Sequence, residues 1–162
     1  MSDEPRLGEE PMGDAPLGDF GVRGTAYSRA TGFETLTDRA CAMRAPFRPD
    51  LIGDPACGAI AGGVIFALLD QTCGMAIGAA LRARAEAEGR APTLGGMATL
   101  DFRLDHVRPP RPGCAVIAEA ECLRLTGDVA VVRGWAYEDD PTDPIAAAQA
   151  AFMITNVPMV SA

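Results

Sequence analysis

The most apolar stretch of the chain lies over residues 63–88, where hydrophobic side chains occupy nearly all faces of a helix as far as Leu81. This pattern is typical of a helix buried at the centre of a fold. The last turns, RARAEAEG, are polar and end at Gly89, a residue type favoured just after a helix. The sequence therefore predicts one long central helix from about Gly63 to Glu88.

After this helix, hydrophobic and polar residues alternate, which is the period of a half-buried β-strand. Residues 97–107 alternate most regularly, and residues 114–125 and 129–137 flank a TGD turn that predicts a hairpin. In the first of these strands, the alternation assigns to the apolar face Ala98, Leu100, Phe102 and Leu104. Residues 145–155 are rich in alanine and favour a helix by propensity, but a strand is predicted because the preceding strands need an edge partner.

Before the helix the pattern is weaker. Residues 24–33 and 38–47 are predicted to form two short strands, followed by a loop rich in proline and glycine. Residues 1–19 are acidic and also rich in these two residue types, which predicts a disordered tail. A length of 162 residues fits one domain, which is expected over residues 20–162.

Small residues recur on one face of the predicted strands and link these strands to the helix. They are Ala118 and Ala120, then Ala130, Gly134 and Ala136, and the alanines between positions 146 and 151. Small side chains let a sheet approach a bulky helix closely and curl around it. The sequence thus predicts an α+β fold in which a curved antiparallel sheet is wrapped around one long central helix.

Charge and cysteine content argue against several classes of function. A net charge of −8 argues against binding to nucleic acid or to an anionic membrane surface. The polar pair Asp70 and Gln71 argues against a membrane-spanning central helix. Five cysteines without a CxxC motif predict a reduced cytoplasmic protein, and scattered thiols with a single histidine argue against a metal site. No cofactor is expected.

A charged residue interrupts the predicted central helix. Asp70 lies between an apolar run over residues 64–69 and a second apolar segment over residues 73–77. Burying an unpaired carboxylate costs several kcal/mol or forces its pKa to shift. Asp70 therefore either meets a partner that the sequence does not reveal, or lines a cavity and acts there.

Two glycines open the same helix. The N–H groups at a helix N-terminus are unpaired and carry partial positive charge, so Gly62 and Gly63 offer a site for an oxyanion, although such pairs also occur in ordinary tight turns. Gly62 and Asp70 are separated by roughly 12 Å along a helix. One helix cannot bring both to the same carbonyl group, whereas two antiparallel copies related by a two-fold axis can. A catalytic site built from this pair is expected at a dimer interface.

The chemistry available to such a site is limited. His106 has no evident serine partner and extends the apolar face of its strand, so it is interpreted as a packed or interface residue. A lone carboxylate with an oxyanion site is sufficient for a thioester, because the leaving thiol, with a pKa of roughly 8.5, departs without protonation. Asp70 is expected either to activate water as a general base or to attack the carbonyl carbon itself.

The segment DPACGAIAGGVIFALLDQTCGMA resembles a family motif, N-P-x-x-G-x-x-H-G-G followed by an apolar turn and L-x-D. The family is the hotdog-fold acyl-CoA thioesterases, in their phenylacetate-pathway (PaaI-type) branch. The segments TLDFRLDHVRPPRPG and AEAECLRLTGDVAVVRGWAY are similar to later parts of the same family, and the resemblance covers about residues 20–156. It implies hydrolysis of an acyl-CoA or related acyl thioester to free acid and thiol. It also implies a homodimer, with a tetramer built as a dimer of dimers.

Transferred residue by residue, the resemblance implies that Asp70 is the catalytic acidic residue and that the Gly62 N–H polarises the thioester carbonyl. Thr99 lies where some members have a Ser or Thr that positions the attacking water. By strand alternation Thr99 faces away from the apolar side, so this assignment requires a local β-bulge. Gly63 and Ala61 are expected to contact the substrate.

The chain departs from the family motif at two positions. Ala61 stands where the family usually has His, and Asp54 stands where it usually has Asn. An ionised Asp cannot donate a hydrogen bond, so Asp54 is either a working residue of an altered site or a cap for the adjoining turn. Arg103, Arg108 and Arg111 are candidates for binding the nucleotide phosphates of the substrate, although charged strand residues are usually only solvated.

The loss of His and Asn leaves an alternative open, namely a degenerate hotdog protein that binds acyl-CoA or another acyl ligand without catalysis. Retention of Asp70 and Gly62 favours hydrolysis. A hotdog hydratase or dehydratase is a third alternative, and it is less favoured because those enzymes usually pair a histidine with the acid.

Overall fold

The computed structural model describes residues 26–91 and 96–155, and the predicted tail over residues 1–19 lies outside the described residues. The described chain forms an antiparallel sheet around one long helix, which confirms the predicted α+β architecture. In chain order the elements are α1 (Ala26–Thr31), β1 (Glu34–Leu36), β2 (Ala42–Ala45), β3 (Ile52–Asp54), β4 (Ala59–Ile60), α2 (Gly62–Ala87), β5 (Met97–His106), β6 (Val116–Leu125), β7 (Val129–Tyr137) and β8 (Ala146–Ile154).

The main sheet has six strands in the order β1-β2-β6-β7-β8-β5, and all neighbouring strands are antiparallel. β3 and β4 form a separate two-stranded hairpin immediately before α2. β5, the first strand after α2, lies at the far edge of the main sheet beside β8. Within the part of the chain that the structure describes, β5 is therefore paired along one side only.

α2 is the centre of the core and packs mainly on β6 and β7. It buries Leu68, Leu69 and Ile77 completely. Each side chain of this size contributes about 1.5–3 kcal/mol when it is fully buried. By length and composition α2 is apolar enough to cross a membrane, with a mean hydropathy of 1.7 over its most apolar window, but the core helix of a soluble protein has the same properties.

The predicted small residues on the inner sheet face are confirmed as the place where α2 and the sheet meet, except that Ala147 and Ala151 of β8 lie on the opposite face. A β-carbon added to Gly134 would lie 3.1 Å from the carbonyl oxygen of Glu119 and 3.1 Å from Cδ2 of Leu69. Ala118 and Ala136 beside it are fully buried. The helix therefore approaches the sheet more closely than larger side chains would allow.

The alanine-rich segment is a strand, as predicted against its helix propensity. β8 lies between β7 and β5 and pairs with both strands along nearly its whole length. Its residues alternate regularly between buried and partly or fully exposed positions. Tertiary context overrides the high helix propensity of alanine, because as a strand this segment buries every second side chain and fills the place between β7 and β5.

The strand predicted over residues 24–33 is wrong, since Ala26–Thr31 forms the short helix α1. The Thr31 hydroxyl donates a hydrogen bond of 3.1 Å to the carbonyl oxygen of Tyr27, four residues earlier, which helical backbone brings within reach. Gly32, with a φ of 64°, then ends the helix in the left-handed conformation.

The strand predicted over residues 38–47 is confirmed over Ala42–Ala45 alone. Its partner on the outer side is Glu34–Leu36, where no strand was predicted. The segment predicted as a loop before the central helix contains the short hairpin of β3 and β4. These strands contain two to four residues each, which is too few for alternation to be detected.

We expect Gly134→Val to destabilise the fold by about 1–3 kcal/mol, because the added atoms collide with Leu69 and with the neighbouring strand. Ala147→Val, on the exposed face of β8, is the control and should change the free energy of unfolding by less than about 0.5 kcal/mol. Urea denaturation measures both. Equal effects for the two variants would contradict the close approach of helix and sheet.

Candidate active site

The N-terminus of α2 carries backbone N–H groups that the protein leaves unpaired. The helix follows Ala61, whose side chain provides no cap. The Ala61 carbonyl accepts hydrogen bonds from the N–H groups of Val64 (3.0 Å) and Ile65 (3.3 Å). Among the described residues no backbone acceptor meets the N–H of Gly62 or Gly63, and both glycines are exposed. Two free N–H groups and the helix dipole suit this point for an oxyanion.

The loop before α2 is held by Asp54 and by a close backbone contact. The Asp54 carboxylate accepts a hydrogen bond of 2.9 Å from the Ala56 N–H, so this side chain caps the turn. A β-carbon on Gly53 would lie 3.0 Å from Cα of Ala61, and the Ala61 N–H donates to the Leu51 carbonyl at 2.9 Å. Asp54 thus helps to position the helix N-terminus, and its direct role in catalysis stays a prediction.

β5 contains a β-bulge at the position that the Thr99 assignment required. Thr99 pairs with Phe152 and Asp101 with Ala151, so Leu100 has no partner of its own on β8. The extra residue reverses the alternation, turns Thr99 toward the helix and leaves Leu100 57% exposed. The predicted positions of Ala98 and Leu100 on the apolar face are therefore wrong, because strict alternation does not continue through a bulge.

Asp70 meets its partner at this bulge. The Thr99 hydroxyl donates a hydrogen bond of 3.0 Å to Oδ1 of Asp70, which is half-buried. Burial raises the pKa of the Asp70 carboxyl, and the hydrogen bond from Thr99 offsets part of that rise. Burial, followed by the charge of Asp70, raises the pKa of the nearby Cys73 thiol to about 12. Cys73 is therefore a neutral core residue at pH 7, and Asp70 is the group with accessible acid–base chemistry.

Three contacts join one face of α2 to the inner face of β5. They are, in order along the helix, Gly62 with His106, Phe66 with Phe102, and Asp70 with Thr99. The helix residues are four apart and so share one face, and the two phenyl rings are 4.5 Å apart between centroids. Phe66 is nevertheless 43% exposed, because β5 is the last strand of the sheet. The helix face that carries Gly62 and Asp70 is thus covered by β5 on one side and open on the other.

The three arginines predicted to bind phosphates are already paired with carboxylates. Arg103 lies 3.1 Å from Asp105, and Arg108 lies 2.8 Å from both Glu138 and Asp143. Arg111 pairs with Asp139 and Glu138. Glu138 is buried, so Arg108 and Arg111 also compensate a buried negative charge in the fold. Binding of substrate phosphates by these arginines stays a prediction.

The described residues contain no group of three or more His, Cys, Asp or Glu side chains that could hold a metal ion. All five cysteines are free thiols. The polar groups that the structure brings to this helix face are backbone N–H groups, the carboxylate of Asp70, the hydroxyl of Thr99 and the imidazole of His106.

Comparison with known proteins places these features in a family context. The family model of the thioesterase superfamily matches residues 58–145, which include the start of α2, Asp70 and Thr99. The chain is 31% identical over 144 residues to the medium/long-chain acyl-CoA thioesterase YigI of Salmonella typhimurium, an alignment that covers 85% of this chain and 91% of that protein.

Solved structures of other proteins have the same fold as this chain. A protein of Pseudomonas aeruginosa is 33% identical, with a TM-score of 0.66 over 80% of this chain and 90% of that chain. The PaaI protein from the phenylacetic acid degradation operon of Escherichia coli is 12% identical, with a TM-score of 0.64 over 83% of this chain and 87% of that chain. These likenesses confirm the predicted hotdog fold.

We expect Asp70→Asn to raise the melting temperature near neutral pH. The folded-state pKa of Asp70 is raised, so its contribution to stability is complete below the unfolded pKa and is lost as pH rises through the folded pKa. The uncharged, nearly isosteric amide of Asn does not titrate in this range, so the variant does not lose stability as pH rises. Thermal unfolding across pH should therefore show an advantage for the variant that disappears on acidification.

Asp101→Asn is the control for this measurement, because Asp101 is exposed on the same strand as Thr99. Its melting temperature should follow that of the wild type across the series. An advantage of Asp70→Asn that is independent of pH would contradict the assigned burial of the Asp70 charge.

Proposed function

We propose that this chain, which belongs to the thioesterase superfamily, hydrolyses an acyl-CoA thioester to the free acid and the thiol. The observation that carries the proposal is the half-buried carboxylate of Asp70, held by Thr99 on the helix face that begins with the free N–H of Gly62. The name of the Salmonella relative supports acyl-CoA as the substrate class.

In the proposed reaction the Gly62 N–H binds the thioester carbonyl oxygen. Asp70 removes a proton from a water molecule while that water attacks the carbonyl carbon, or the carboxylate attacks the carbon itself and forms an anhydride that water hydrolyses after the thiolate has left. The carbon–sulfur bond then breaks, and the thiol, with a pKa of roughly 8.5, departs as the thiolate. Thr99 orients the carboxylate through its hydrogen bond, and burial makes Asp70 a stronger base than an exposed carboxylate.

A second copy of the chain completes the proposed site. Gly62 and Asp70 are about 12 Å apart on one helix, so a single carbonyl group cannot contact both on the same chain. If two antiparallel copies of α2 place Gly62 of one opposite Asp70 of the other, Phe66 lies midway, on the two-fold axis. The exposure of Phe66 and the unpaired side of β5 support this arrangement. The proposal extends to a dimer of dimers in the cytoplasm.

Binding without catalysis is the second candidate function. Ala61 has no donor in its side chain, and the Asp54 carboxylate accepts a hydrogen bond from its own turn instead of donating one. These two departures from the family motif favour binding without catalysis. The contact between Asp70 and Thr99 favours hydrolysis, because a protein that only binds acyl groups gains nothing from a half-buried carboxylate.

The proposal is tested by thiol release from a series of acyl-CoAs of increasing chain length. Asp70→Asn should lower kcat by about 10²–10⁴-fold, because it removes the base while keeping the shape of the side chain. Asp101→Asn, exposed on the same strand as Thr99, should leave kcat unchanged. The wild-type kcat should also fall on acidification, as the raised pKa of Asp70 brings its protonation nearer to neutral pH.

Wild-type turnover that persists in a folded Asp70→Asn protein would exclude the proposed role of this carboxylate. Acyl-CoA binding by the wild type with no thiol release from any member of the series would establish the second candidate instead.

A further inference from the structure

The chain's one histidine lies directly over the start of α2. A β-carbon added to Gly62 would be 3.2 Å from Nε2 of His106 and 3.3 Å from Cε1. His106 pairs with Ala146, which is fully buried, so the imidazole is on the inner face of β5. The glycine at position 62 thus gives the imidazole room beside an unpaired backbone N–H.

The same imidazole borders an open cavity and has no hydrogen-bond partner in the part of the chain that the structure describes. The cavity has a volume of about 380 Å³, and its wall is formed by Gly62, Ile65, His106, Val107, Arg108 and Pro109 together with Pro110. Arg108 is held by Glu138 and Asp143. His106 therefore supplies the side-chain donor of this wall that is free to meet a ligand.

We propose that His106 donates, from Nε2, a second hydrogen bond to the carbonyl oxygen that the Gly62 N–H binds. This assignment rests on the proposed thioester hydrolysis. It makes His106 a catalytic residue that comes from the same chain as Gly62, whereas the carboxylate comes from the other copy. Two hydrogen-bond donors stabilise the negative charge on this oxygen in the transition state more than they stabilise the carbonyl oxygen of the bound substrate. The hydrogen bond from His106 should therefore raise kcat.

The position of His106 accounts for the absence of a side-chain donor at position 61. Ala61 lies against Gly53, where an added β-carbon would be 3.1 Å from the Ala61 β-carbon. A donor from β5 reaches the helix N-terminus at Gly62, the residue after Ala61. No proton needs to leave the imidazole, because the thiolate departs unprotonated.

Three substitutions test which atom of His106 acts. His106→Gln retains an N–H donor near the position of Nε2 and should keep most of kcat. His106→Asn has its amide near the position of Nδ1, and His106→Phe fills the space without a donor. Both should lower kcat by about 100-fold with little change in KM, the effect of losing one oxyanion donor. Asp101→Asn, exposed on the same strand and outside the cavity wall, is the control and should keep the wild-type kcat.

The readouts are kcat and KM for thiol release, with thermal unfolding to check that each variant is folded. Wild-type kcat in His106→Phe, an effect on KM alone, or an equal loss in the Gln and Phe variants would overturn the assignment while leaving the hydrolase function in place. Absence of thiol release in the wild type would overturn the proposed function, and this inference with it.

Discussion

The structure around the site depends on one hydrogen bond, from the Thr99 hydroxyl to the Asp70 carboxylate. The carboxylate lies on the most apolar helix of the chain, in a place where an unpaired charge would destabilise the fold. Its partner reaches it because β5 has a bulge at Leu100, which turns Thr99 inward. The bulge, the strand and the helix are therefore positioned together, and the raised pKa of Asp70 follows from this half-buried arrangement.

The position of β5 decides where the site opens. As the last strand of the sheet, β5 contacts α2 at three points, from the Gly62–His106 contact to the Asp70–Thr99 hydrogen bond, and leaves the rest of that helix face exposed. The proposed oxyanion donors lie at one end of this face, and the proposed base lies about 12 Å away at the other. In the proposed dimer, a second copy in the antiparallel orientation covers the open side and brings each donor group opposite a carboxylate. Assembly and catalysis are thus parts of one proposal.

Much of the fold could be predicted from the sequence, because the long elements repeat their pattern often enough to be detected. The all-round apolar helix, the hairpin of β6 and β7, and the small residues facing α2 are examples. The short helix α1 was predicted as a strand, since its identity depends on local hydrogen bonds that alternation does not encode. In the site, Asp70 was recognised because a charge in an apolar run is conspicuous. The place of His106 depends on which strand lies beside the helix N-terminus, which is a property of the folded chain.

The most direct test of the central claim, a site shared between two chains, is to combine two differently inactivated subunits. Co-expressed chains with separate affinity tags, one carrying Asp70→Asn and the other Gly62→Pro, are purified as heterodimers through both tags. Proline removes the N–H at a helix position that tolerates it, and circular dichroism checks the fold. Each homodimer should be inactive, whereas the heterodimer contains one intact site and should show about half of the wild-type activity per dimer. Folded heterodimers that stay inactive would contradict a site built from Gly62 of one chain and Asp70 of the other.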